Sequence, residues 1–469
     1  MAIIEDIHIA PEIQQIIPSD IAWHYRVVPH SKEENTVIFY VDEEQEQRLV
    51  QEELNALLGV GIQTKSLPTN DIQRLLGRYY RNTNAENDKI TFDANTDFVD
   101  RIIQEANRLG SSDIHIEIFE EKARVRIRID GNLIERYAID RVDYPELVNK
   151  IKIRSNLDIS EKRLPQDGRI QYQDFDIRVS ILPTLHGEKI VMRILGHDAS
   201  SISIDNLGFT DQDKSYYLEG IKKPNGIILI SGPTGSGKTT TLYATLKLLN
   251  DEKRNIMTVE DPVEYTLKGI NQVQLKESIG LTFQSALRSF LRQDPDVIML
   301  GEIRDGETAQ MAIRAALTGH LVLSTIHTNS AWGTISRLID MGVPSFLLAN
   351  TISTSVAQRL VRKLCTHCTS EAPLTEKDWS YTIPFNRPEK HHTPVGCDKC
   401  HYTGYKGRVA LYEIIPIDQE LASCIKQNDH DITAKLKERN IQSLSTRAYE
   451  IFKEGKTSLE EVYPLLTGF

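Results

Sequence analysis

An α/β fold built on a parallel sheet is what this sequence predicts, and three observations predict it. Beyond Lys222, short and nearly continuous apolar runs (GIILISG, NIMTVED, DVIMLGE, LVLSTIH) alternate with helix-like stretches, as strands do when crossover helices bury both of their faces. The first of these runs leads into a glycine-rich turn that opens a helix. Upstream, alternating runs around Asp130-Gly131 predict a β-hairpin in a separate α+β domain.

At 469 residues the chain is longer than one hydrophobic core usually organises. It reads as a small module over 1–81, a polar linker over 82–96, an α+β domain over 97–205 and a core over 206–359. A cysteine-bearing segment over 360–415 and a helical segment over 416–469 follow. In the first module, DEEQEQRLVQEELNALL predicts a helix with an apolar face of Leu49, Val50, Leu54, Leu57 and Leu58. Four helices are predicted at the end, in ELASCIKQ, DITAKLKERN, LSTRAYEIFKEG and LEEVYPLL.

A formal charge of −11 gives an average field that repels polyanions, so no nucleic-acid partner is expected. No apolar run is long enough to span a bilayer, and acids come early in the sequence, so the reading is cytoplasmic.

The segment Gly232-Pro233-Thr234-Gly235-Ser236-Gly237-Lys238-Thr239, between a buried strand and a helix, has the form of a phosphate-binding loop. Glycines let N–H groups curl around phosphate oxygens, Lys238 reaches the β/γ-phosphates, and the Thr239 hydroxyl suits Mg²⁺; Thr240 completes the nucleotide-binding set. The expected core is therefore a P-loop NTPase of the RecA-like kind, acting on ATP. Glu302 leaves the C-terminal end of strand VIML, where ligands of open sheets bind, whereas Asp294 and Asp296 precede that strand; Glu302 is assigned to Mg²⁺ and water. Strand IMTV ends in Glu260-Asp261-Pro262-Val263-Glu264, and Glu264 is the expected general base. His327 ends another strand and is expected near the γ-phosphate, with His320 at the strand's start. An arginine that stabilises γ-phosphate charge could come from Arg124, Arg126, Arg128, Arg178 or Arg193. Cys365/Cys368 and Cys397/Cys400 form two CxxC pairs 28 residues apart, which suits a closed Cys₄ zinc site with a structural role.

These segments, with SDIHIE, RLPQDGRI, TVEDPVEY and ALTGHLVLSTIHTNSA, resemble the secretion ATPases of type II secretion and type IV pilus assembly, from about Asp97 onward. The resemblance places an aspartate box on Thr258–Glu264, a Glu-type Walker B on Val297–Glu302, a histidine box on Thr318–Thr328 and arginine fingers on Arg178 and Arg193. It implies a homohexamer that works on an inner-membrane platform protein, with residues 1–81 docking a second membrane partner and membrane association only through these proteins. The tetracysteine segment is typical of the extension and secretion branches. SDIHIEI lacks the proline that commonly follows HIE in the family, and residues 1–80 match more weakly. A nucleic-acid translocase fits poorly with the acidity and the lack of interleaved basic and aromatic stretches. A nucleotide switch fits poorly because no [NT]KxD segment follows the loop.

Overall fold

In the computed structural model of the chain, the sheet that carries the expected parallel strands has seven strands. The structure describes Ile9, Ile13 and residues 16–33, 36–80, 98–196, 202–376, 378–429 and 431–468; the expected linker at 82–96 lies outside the described residues. Two compact units form, one from Met1–Leu195, Leu364–Pro373 and Lys390–Gly407, the other from Gly196–Lys363, Leu374–Glu389 and Arg408–Phe469.

In the first unit, β1 (Val27–Glu33), β2 (Thr36–Asp42) and β3 (Gly61–Leu67) make a three-stranded sheet. The helix Gln47–Leu58 accompanies this sheet and buries Val50 and Leu54, while Leu49 and Leu57 are about half exposed. The buried stripe is therefore narrower than the expected five-residue face, because a helix lying on so small a sheet meets it along one line of contacts only.

The same unit holds a six-stranded sheet of β4 (Asp113–Ile118), β5 (Ala123–Ile129), β6 (Asn132–Ile139), β7 (Gln166–Gln171), β8 (Phe175–Thr184) and β9 (Gly187–Gly196), in the order β6-β5-β4-β9-β8-β7. Asp130 and Gly131 join β5 to β6 with φ of 48° and 91°, the left-handed pair that a two-residue hairpin needs. The arginines of β5 are held within the sheet. Arg124 and Arg126 both donate to Glu117, and Arg128 lies 3.4 Å from Asp113.

The second unit is built on β10 (Gly226–Ser231), β11 (Ile256–Glu260), β12 (Asn271–Gln274), β13 (Val297–Leu300), β14 (Leu321–Ile326), β15 (Ile352–Leu364) and β18 (Tyr405–Pro416). Their order is β12-β11-β13-β14-β10-β15-β18, with β12 through β15 mutually parallel. Ser231, Glu260, Leu300 and Ile326 therefore end their strands along a single edge of the sheet, where open α/β sheets bind ligands. Ile227 to Ile230 are wholly buried, and each such side chain contributes about 1.5–3 kcal/mol by leaving water.

The sequence pattern shows four of these seven strands. The start of β15 is buried through Ser353, Thr354 and Ser355 rather than through an apolar run. It tolerates burial because the Ser353 hydroxyl donates to the Ile227 carbonyl at 3.2 Å and that of Ser355 to Ala331 at 2.7 Å. The four helices expected at the end of the chain lie at Gln419–Lys426, Thr433–Glu438, Leu444–Lys453 and Leu459–Leu466.

The cysteine segment is divided: Leu374–Glu389 groups with the P-loop unit, and Leu364–Pro373 and Lys390–Gly407, which carry the four cysteines, group with the N-terminal unit. The ribbon β16 (Ser370–Pro373) with β17 (Lys390–Thr393) belongs to that unit. Tyr402 meets Trp23 edge-on at 5.8 Å, and the Gly407 N–H donates to the Asp130 carboxylate at 2.7 Å. Aromatic and charge-assisted contacts of this kind are made by side chains far apart in sequence, so local pattern does not reveal them.

Candidate active site

The loop between β10 and the helix Lys238–Leu249 is shaped by glycine. Gly232, Gly235 and Gly237 have φ of 148°, 80° and 88°, a region that disfavours other residues. A Cβ on Gly232 would fall 2.4 Å from the Gln358 carbonyl, and one on Gly237 2.8 Å from the Gln358 amide nitrogen. The helix starts at Gly237 with no side-chain cap, so its first N–H groups face outward, as anion binding requires. Lys238 Nζ donates to the Gly232 and Pro233 carbonyls at 2.8 and 3.0 Å, folded over the loop. Ser236 Oγ is buried with no hydrogen-bond partner among the described residues, while Thr239 and Thr240 are exposed in the first helical turn. An unpaired hydroxyl, uncapped N–H groups and a lysine at one place fit the phosphates of a nucleoside triphosphate. Burial pulls the Lys238 ammonium below its ordinary pKa and nearby Arg359 adds to that pull, while the Glu302 charge opposes it.

Glu302 stands beyond the end of β13. Its carboxylate accepts from Arg304 at 2.5 Å and lies 3.4 Å from His327 Nε2. Burial pushes this carboxyl up, but Arg304 and His327 outweigh burial and hold it below the usual range. Asp261 joins from β11 through Arg304, at 3.7 Å. The structure thus brings Glu302, His327 and Asp261 together around Arg304, a residue the sequence reading missed although it stands two positions after the acid in GEIRD.

Of the acids after β11, Glu260 is buried, and Tyr243, Thr258 and Gln272 all donate to it. This network uses up its oxygens and fixes the strand end. The Asp261-Pro262 peptide is cis. Glu264, the expected base, sits after this turn with its N–H donated to the Tyr243 hydroxyl at 3.3 Å. Asp296 accepts the Asn255 N–H at 2.7 Å at the opposite edge of the sheet. His320 precedes β14 there, its ring nitrogen 2.9 Å from the Ala315 carbonyl, in a packing role.

Arg178 and Arg193 belong to the other unit. Arg178 is exposed on β8 opposite Arg169, and Arg193, on β9, donates to Asp113 at 2.9 Å while remaining more than half exposed.

In the cysteine segment, the four sulfurs of Cys365, Cys368, Cys397 and Cys400 lie within 4.8 Å of one another. The pairs at 3.7 to 3.9 Å are far longer than a covalent S–S bond, and all five cysteines are free thiols. The Gly396, Cys397 and Gly404 N–H groups point at sulfur, which favours thiolates. The set can hold a metal ion, and four thiolates suit Zn²⁺. Cys424 lies apart, beside Lys435.

A phosphate loop after one strand, an acid after another, and all strand ends on one edge of a parallel sheet define a P-loop ATPase with RecA-like strand order. Residues 91–464 match the family described as Type II/IV secretion system protein, and the chain belongs to that family. Residues 3–86 match the MshEN domain. The chain is 45% identical to the type II secretion system protein E of Pseudomonas aeruginosa, over 78% of this chain and 74% of that one. It is 39% identical to the type IV pilus assembly ATPase PilB of Myxococcus xanthus, over 98% of this chain and 87% of that one. Among solved structures, the pilus retraction motor PilT with bound ADP is 28% identical over 77% of this chain and 94% of its own length, with a TM-score of 0.54. The ATPase DotB of Legionella pneumophila shares the fold at 22% identity and a TM-score of 0.60, covering 81% of this chain and 100% of its own. The described residues include no helix long and apolar enough to cross a membrane.

Proposed function

We propose that this ATPase is the cytoplasmic motor of a filament-assembling secretion apparatus, working as a homohexamer against an inner-membrane platform protein. The observation that carries the reading is the joining of a complete phosphate loop to a four-thiol cluster within a chain of this family. In the working site, Gly232 to Thr240 hold ATP, with Thr239 serving Mg²⁺. Glu302 orders the metal and its water, Glu264 draws a proton from the attacking water, and His327 meets the γ-phosphate. Arg178 and Arg193 supply positive charge to the transition state, and Cys365, Cys368, Cys397 and Cys400 hold zinc. Residues 1–81 dock a membrane partner, and membrane association runs through proteins alone.

Type II secretion is one assignment, supported by 45% identity to a protein E. Pilus extension is the other, and the alignment of a PilB over 98% of the chain, N-terminal module included, favours it. Replacing the chain in its own cell by its Lys238→Ala variant separates the two. Loss of surface pili with intact exoprotein export assigns pilus extension, and loss of export with intact pili assigns type II secretion. If both are retained, the motor reading fails.

A further inference from the structure

The strand β15 pairs with β10 as far as Ser231 and Ala357, so the next residues of β15 run beside the phosphate loop. Gln358 is fixed there, its side-chain oxygen accepting from Thr241 Oγ1 at 2.9 Å. Arg359 follows. Its Nη1 donates to the Gln358 carbonyl at 3.0 Å and lies 3.1 Å from where a Gly232 Cβ would sit. Its Nη2 reaches the segment after β14, donating to the Asn329 carbonyl at 3.3 Å and the Asn329 side-chain oxygen at 3.2 Å. All these acceptors are neutral, and among the described residues Arg359 makes no ion pair. A half-buried guanidinium so placed stays charged and links its own strand, through the Gln358 carbonyl, to the Asn329 segment.

The segment it grips begins at His327, which stands 3.4 Å from Glu302. Its far end is held as well. The Ala331 N–H donates to Glu413 at 2.8 Å, and the same buried carboxylate accepts the Leu444 N–H at the start of the helix Leu444–Lys453. The loop carrying His327 is thus pinned between Arg359 on the phosphate-loop side and Glu413 on the side of the C-terminal helices.

We propose that Arg359 is a positioning residue for hydrolysis, tying the stretch of β15 that runs beside the phosphate loop to Asn329 so that His327 and Glu302 are held in register with the bound γ-phosphate. The inference rests on the ATPase reading of the site, and it assigns Arg359 an action through Asn329 rather than on the nucleotide. Arg359→Gln should lower kcat about tenfold or more, the size expected for losing hydrogen bonds from a charged group, while KM and ADP affinity change less than about threefold. Asn329→Ala removes only the side-chain acceptor and should lower kcat in the same sense by a smaller factor. The double variant should be no slower than Arg359→Gln alone, because both changes break one tie.

The test is steady-state ATPase kinetics with fluorescent ADP binding on the full chain, alongside Arg359→Lys, which keeps the charge and loses the fork. Arg359→Lys should recover only part of the lost kcat. A rise in KM and ADP dissociation constant together, with independent losses in the double variant, would make Arg359 a direct nucleotide ligand and overturn the proposal. Unchanged kcat in Arg359→Gln, with the unsubstituted chain active, would overturn it too. If the unsubstituted chain fails to hydrolyse ATP, it is the ATPase reading that falls.

Discussion

The phosphate loop and the cysteine cluster each gather ligand atoms within a few residues, and they leave those atoms in opposite conditions. At the loop, Ser236 Oγ is buried with no hydrogen-bond partner among the described residues, the helix start has no side-chain cap, and Lys238 is folded onto two carbonyls of its own loop. At the cluster, four sulfurs face one another and backbone N–H groups are already aimed at them. The first arrangement suits a ligand that arrives and leaves, since the protein can substitute poor internal contacts for it. The second closes around one ion, leaves no open coordination position, and makes binding part of folding.

The comparison breaks most visibly at Lys238. Lys238→Ala should reduce ATP turnover by about 10²-fold or more, because the ammonium meets charge that grows in the transition state. Its melting temperature without nucleotide should stay close to that of the unsubstituted chain, since the lost hydrogen bonds lie at a half-exposed loop. Near-normal turnover would mean that the loop is a structural turn.

The cluster should respond in the converse manner. Cys365→Ser with Cys397→Ser should take metal content from about one zinc per chain to none, and lower the melting temperature of the unit holding Trp23 and Tyr402. Turnover per folded chain should change less than in Lys238→Ala. Metal analysis and calorimetry on the same sample decide it, and an unchanged zinc content would mean that these sulfurs do not form the site.

How far these two places were legible in the sequence differs for the same reason. Both are local: a strand-turn-helix with glycines at fixed spacing, and two CxxC turns. Their ligand atoms could be named before any fold was known, and the hairpin at Asp130-Gly131 was readable on the same grounds. What pattern could not reveal was pairing between distant segments. The strand β15 hides behind Ser353 to Ser355, whose burial depends on carbonyls of Ile227 and Ala331. Arg304 and Arg359 look like surface arginines until Glu302 and Asn329 are brought beside them. Among the carboxylates at 260–264 the sequence singled out only Glu264, and it takes the donors Tyr243, Thr258 and Gln272 to mark Glu260 as a fixed strut.

The smallest predicted effect sharpens the comparison most. Ser236→Ala removes a buried hydroxyl that has no hydrogen-bond partner among the described residues, so without nucleotide it should leave the melting temperature unchanged or raise it by about 1–2 °C. With Mg-ATP the same variant should gain less thermal stability than the unsubstituted chain. A hydrogen bond to charged phosphate is worth about 1.5–3 kcal/mol, and losing it weakens binding about tenfold or more, which lowers ligand-induced stabilisation at fixed nucleotide by about 1.4 kcal/mol or more. The two melting curves separate a hydroxyl kept for the ligand from one kept for the fold. A drop of several degrees without nucleotide would show that Ser236 already has a structural partner, and the contrast between an open cradle and a closed cage would then rest on Lys238 and the uncapped helix alone.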